Sequence, residues 1–144
     1  MRHLWAVVFY LAAFALAAVG QTKPRPATLV QQKMCGEQAR KTFDKDYAGQ
    51  NADFTSHYDP KVNVCYIMVH VYPKGGEPAW SEVVFDAFEL RVYASIVWTN
   101  PERKKYWEVV PLECFVKPLG SDKTFCHSAD EFEALIDKDF GIGR

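Results

Sequence analysis

Hydrophobic positions change their spacing several times along this chain. From Leu4 to Val19 the run is unbroken, yet shorter than the roughly 20 residues a spanning helix needs. Arg2 and His3 precede it, and Ala18-Val19-Gly20 places small residues at the −3 and −1 positions of a cleavage site. The pattern predicts a secretory signal peptide over 1–20. An exposed, proline-containing leader is expected over 21–27, and a single α+β domain over 28–144.

The next pattern is helical. Ala27 to Tyr47 carries Val30, Met34 and Gln38 on one line and Cys35, Ala39, Phe43 and Tyr47 on its neighbour. Thr28 is placed as an N-cap, with Gln31 three residues on to complete a capping box. Thereafter the period shortens to two. Phe54–Tyr58 reads as a short strand, and Asp59-Pro60-Lys61 as a turn. Val62–Tyr72 reads as a long strand with two apolar faces, which predicts a central strand covered on both sides. Lys74-Gly75-Gly76-Glu77-Pro78 breaks the pattern. Ser81–Phe88 and Val92–Thr99 are expected as strands joined through Glu89-Leu90-Arg91. Tyr106–Val116 is expected as a further strand interrupted by Pro111, and a short strand ends at Cys126.

The final period is helical again. Phe132, Leu135, Ile136 and Phe140 form an apolar stripe. Ser128 and Glu131 have the spacing of a capping box, Asp130 and Glu131 sit where the helix dipole favours anions, and Gly141 supplies the stop. The order is helix, antiparallel sheet of about six strands, helix: an α+β fold with two helices packed on a sheet.

Composition narrows the function. With 17 basic and 18 acidic residues, the chain is too balanced to imply nucleic acid as a partner. Cations gather over 21–47 and anions over 121–144, the pattern of two solvated helix faces. An exported chain meets an oxidising compartment, where four cysteines can pair. Cys114 and Cys126 lie symmetrically about Gly120, as cross-strand partners in a hairpin would. Cys35 and Cys65 would then pin the first helix to the central strand. No C-x2-C pair is present, so zinc is not expected, and no cofactor or metal is implied.

Candidate chemistry is sparse. His57 and Asp59 share a strand face and could form a base and its orienting carboxylate, although no nucleophile motif accompanies them. Asp86 and Glu89 are a possible carboxylate pair, with Asp86 expected on a solvated strand face. His70 and His127 are expected to be structural. The aromatics are the most distinctive feature: Trp80, Tyr93, Trp98, Tyr106 and Trp107 cluster around the third to fifth strands. Such a surface could stack on sugar rings or anchor a protein. The alternative is that these rings complete the core.

The fragments Cys35-Gly36-Glu37-Gln38-Ala39, Ser56-His57-Tyr58-Asp59, Val62-Asn63-Val64-Cys65-Tyr66 and Phe85-Asp86-Ala87-Phe88-Glu89 occur with Tyr93-Ala94-Ser95, Lys105-Tyr106-Trp107-Glu108-Val109 and the Ser128–Ile136 helix. Together they resemble a group of small exported bacterial proteins of unknown function. In that group a glycine turn is usual where this chain has Glu89-Leu90-Arg91. The resemblance implies a bacterial, envelope or secreted setting and no activity; the expected location is the periplasm or the medium. The expectation is a non-enzymatic binding module whose ligand is an extracytoplasmic protein or glycan. No nucleic acid is expected, and no membrane once the signal is removed. A small secreted hydrolase using His57 and Asp59, or a structural envelope protein, are the alternatives.

Overall fold

The computed structural model describes residues 26–73, 79–100, 104–105 and 108–142. The expected signal peptide, most of the leader, the loop expected over 74–78, and Tyr106 and Trp107 lie outside them.

Helix α1 spans Leu29–Asp46. Its capping box forms as the sequence predicts: Thr28 Oγ1 accepts from the Gln31 N–H, and Gln31 Oε1 accepts from the Thr28 N–H at 3.0 Å. Six strands follow: β1 Ala52–Asp59, β2 Val64–Val71, β3 Ala79–Asp86, β4 Val92–Thr99, β5 Glu113–Val116 and β6 Thr124–Phe125. They form one antiparallel sheet in sequential order. Helix α2, Ala129–Phe140, closes the chain and stops at Gly141, which takes the left-handed conformation (φ 63°) that glycine adopts without steric cost.

The helices lie on opposite faces. Cys35 and Ala39 of α1 pack on Cys65, Ile67, Val69 and Phe85, with Phe43 and Tyr47 at the margin. Phe132, Ile136 and Phe140 of α2 pack on Tyr66, Met68, Val84, Tyr93 and Ile96. Strand β2 therefore contributes alternate side chains to both cores, and every residue from Val64 to His70 is buried. Burial pushes the Tyr66 phenol up to about 12, helped by Tyr93, Asp59 and Asp86. The Tyr93 phenol is raised chiefly by burial too. Both rings are neutral wherever the protein is folded at ordinary pH.

Both disulfides have the pairing expected from the sequence. Cys35–Cys65 ties α1 to β2 with Cα atoms 5.4 Å apart, and Cys114–Cys126 ties β5 to the residue after β6 at 5.1 Å. The Cys126 N–H also donates to the Cys114 carbonyl at 3.1 Å, as a hairpin requires.

Several expectations shift. Strand β2 begins at Val64, because Asn63 is left-handed (φ 56°) and cannot continue a ladder. The strand expected over Tyr106–Val116 shortens to Glu113–Val116. Pro111 has no N–H to donate, and pairing starts only beyond it. At the start of α2 half of the expected capping box forms. Ser128 Oγ accepts from the Glu131 N–H at 3.1 Å, but the Glu131 carboxylate reaches back to the His127 N–H at 2.8 Å, one residue beyond the cap.

The β3–β4 turn carries the other left-handed non-glycine residue among the described residues. Leu90 has φ 58° and is 49% exposed. A left-handed leucine costs about 1–2 kcal/mol, whereas glycine adds roughly 0.5–1 kcal/mol of unfolded-state entropy. Leu90→Gly is therefore expected to raise stability by up to about 1 kcal/mol. Urea unfolding checks this, and a loss of stability would mean that the leucine side chain makes a contact worth more than its strain.

Candidate binding site

The aromatic cluster expected from the sequence divides into two places. Tyr93 is only 3% exposed. It sits against Tyr66 with ring centroids at 5.4 Å and against Phe140 at 6.2 Å, beneath α2. The cause is a bulge in the β3–β4 ladder. Val84 faces Ala94 and Phe85 faces Val92, which leaves Tyr93 unpaired between them and turned into the core. Tyr93 is thus a core residue and corrects the expectation of an exposed ring.

Trp80 and Trp98 are placed differently. They are direct cross-strand partners at the end of β3 and β4 and stack with centroids 6.4 Å apart and planes 26° apart. Trp98 is buried, while Trp80 is partly exposed. With Tyr72 and Pro73 they line a shallow cavity of about 240 Å³. Tyr72 is 42% exposed, and its hydroxyl donates to Asp53 at 3.3 Å.

A second cavity lies on the α2 face of the sheet. A cleft of about 340 Å³ lies between the sheet and the flank of α2, lined by Met68, Glu82, Glu133, Ile136, Asp137 and Ile142. Trp80 and Glu82 are successive residues of the same face of β3. The indole and the cleft carboxylate are therefore neighbours. Glu82 is held from the neighbouring strand: its Oε2 lies 2.8 Å from His70 Nδ1, and the two side chains are 3% and 8% exposed. They are opposite one another in the β2–β3 register.

This is the imidazole–carboxylate pair of the molecule, and it is not the one the sequence singles out. His57 is exposed on β1. Asp59 Oδ1 accepts from the Lys61 N–H at 2.8 Å, which makes it a turn-forming side chain. Asp86 is also turned to structural use. Expected on a solvated face, it is only 6% exposed, and its Oδ1 accepts from the Phe88 and Glu89 N–H groups at 2.7 and 3.1 Å. Glu89 is exposed and pairs with Arg91 at 2.9 Å. His127 is exposed ahead of α2.

A further cavity of about 360 Å³ lies beside the Cys35–Cys65 bridge, bordered by Met34, Tyr58, Asn63 and Phe88. Its polar groups are engaged with one another. Gln31 Nε2 donates to the Tyr58 hydroxyl at 3.0 Å, and that hydroxyl donates to Asn63 Oδ1 at 2.6 Å. The Trp80–Glu82 region differs, because exposed carboxylates of α2, Glu133 and Asp137, line the cleft together with Glu82, which lies two residues along β3 from Trp80. An indole there can cover the apolar face of a ligand while the carboxylates accept hydrogen bonds at its rim.

Register, not sequence proximity, brings His70 and Glu82 together, which is why a reading of neighbouring residues misses them. The signal was available: each lies six residues from Gly76, as Cys114 and Cys126 each lie six from Gly120. Among the described residues no helix is long and apolar enough to cross a membrane. No protein-family model, curated protein or solved structure matches the chain.

Proposed function

We propose that this chain is an exported binding module that holds a glycan at the Trp80 end of its sheet. The observation that carries this reading is the placement, on one face of β3, of the partly exposed Trp80 and of Glu82, which lines a cleft with two carboxylates of α2. Sugar rings present apolar C–H faces and hydroxyl rims. Trp80 offers the stacking surface, and Glu82, Glu133 and Asp137 offer acceptors for hydroxyl donors. The same carboxylates disfavour an anionic sugar, so a neutral or amino sugar fits best.

The buried His70–Glu82 pair supports a site here for an energetic reason. A polar pair taken out of water is seldom more stabilising than apolar residues of the same volume. Its place at the wall of the cleft gives it a second use, with His70 holding the Glu82 carboxylate in position. Export is supported by the leader pattern and by the two disulfides, which persist in oxidising compartments.

Retention on immobilised polysaccharides tests the reading. The disulfide-bonded protein is expected to be retarded on at least one neutral or amino-sugar polymer, and Trp80→Ala is expected to weaken retention about tenfold. That loss corresponds to about 1.4 kcal/mol, within the roughly 0.5–1.5 kcal/mol that an aromatic contact contributes beyond its buried area. Unchanged retention of a folded Trp80→Ala variant would remove this face from the site.

A further inference from the structure

Strand β1 lies at the edge of the sheet, and among the described residues it pairs only with β2. Exposed edges of this length are normally blunted by lysine, proline, a bulge or a covering segment. β1 contains no lysine or proline, its charged residues are Asp53 and Asp59 alone, and its ladder with β2 runs without a register shift from Ala52 to Asp59.

The phase of that ladder fixes what the edge offers. The Tyr72 N–H donates to the Asn51 carbonyl at 2.8 Å, and these residues continue the β1–β2 register. Odd-numbered residues of β1 therefore turn their backbone groups to β2. Ala52, Phe54, Ser56 and Tyr58 turn theirs outward.

We propose that a second copy of this chain pairs on this edge, β1 against β1, antiparallel about a two-fold axis at Thr55. Two registers keep most of the strand paired and match the side-chain faces. An axis at Ser56 sets Asp53 directly against Asp59 of the other copy, and like charges in that position are destabilising. An axis at Thr55 sets Asp53 against His57, twice, with Thr55 against Thr55. These are non-hydrogen-bonded pairs, the closer-spaced kind, so each carboxylate meets an imidazole that can donate to it. His57 and Thr55 are exposed and free to serve this way. Ala52–Tyr58 and Phe54–Ser56 become the hydrogen-bonded pairs, about eight bonds across the axis.

The helices allow the approach. Helix α1 packs over β1 and β2. With strands spaced about 4.8 Å apart, the two α1 axes come within roughly 10 Å, a normal helix-packing distance. Gln32 lies with Ser56 and His57 around one cavity, and Arg40 covers the Phe54 ring, so both side chains flank the seam.

Sedimentation equilibrium of the disulfide-bonded protein tests this. The expected result is a concentration-dependent dimer. His57→Glu, which faces Asp53 across the axis, is expected to weaken it about tenfold, and adding Asp53→Lys to that variant is expected to restore it. Thr55→Cys is expected to cross-link the two copies on oxidation, since its Cα atoms would face each other at about 4.5 Å. A monomer at every concentration, a dimer indifferent to His57→Glu, or failure of the double variant to recover would each overturn the proposal. Circular dichroism of each variant separates loss of pairing from loss of fold.

Discussion

Removing the Cys35–Cys65 bridge, by replacing both residues with alanine, is expected to lower the unfolding free energy by about 3.5 kcal/mol. The bridge closes a loop with a sequence separation of 30, and that figure follows from the chain-entropy relation for a loop of this size. The structure gives a local reason for the loss to be felt. Helix α1 docks through a narrow stripe of which only Cys35, Ala39 and Thr42 are buried. Leu29, Val30 and Met34, in its first half, are 83%, 67% and 56% exposed. Besides the bridge, that half is held by the Gln31–Tyr58 hydrogen bond. The second half is anchored better, because Gln38 and Thr42 both donate to the Ala87 carbonyl, at 3.1 and 3.0 Å. Hydrogen exchange in the double variant should therefore accelerate first in the first half of α1. The Cys114–Cys126 bridge, with a separation of 12, is expected to contribute less, about 3 kcal/mol. Urea unfolding of the two double variants gives the comparison. Equal stability of wild type and the Cys35/Cys65 variant would contradict this account of α1.

Glu82→Ala is the second large effect. His70 and Glu82 are both buried, at the centre of the sheet between β2 and β3. Removing one partner of a buried pair costs about 3–5 kcal/mol. Replacing both by apolar residues of similar volume is expected to cost much less than the single change, within about 1 kcal/mol of zero. The double-mutant cycle His70→Leu with Glu82→Met should thus show strong coupling, read from denaturant midpoints. Additive losses would mean that the two residues act separately. A neutral double variant would also bear on function: it would show the pair to be dispensable for folding, and its effect on glycan retention would then report the site alone.

Most of the architecture was legible from local rules. Thr28 with Gln31, and Gly141 after the Phe132–Phe140 stripe, placed both helices, because caps and stops are local chemistry. The two apolar faces of β2 implied cover on both sides, and the helices lie there. The disulfides were legible because hairpin symmetry about Gly120 settled one pair and left the other.

The candidate site was legible only in part. Trp80 and Trp98 were visible as types and meet as partners, yet Tyr93 went to the core through a bulge that alternation alone does not reveal. Asp86 alternates with Phe85 and Ala87 like a solvated residue, but the turn uses its carboxylate and buries it. The region before β5 reads as longer strand than forms, because an alternating sequence continues through a proline that cannot join the ladder. His70 and Glu82 were missed for the same kind of reason. Their meeting is a consequence of strand register, and register becomes visible only when two strands are aligned about their turn.

The most direct test of the central claim is a nuclear magnetic resonance titration of the isotopically labelled protein with a glycan that retains it. The account predicts that the indole N–H signals of Trp80 and Trp98 and the backbone signals around Glu82 and Glu133 shift together with one affinity. Shifts confined to β1, or to the surface around Met34 and Phe88, with the Trp80 and Trp98 indoles unmoved, would contradict it.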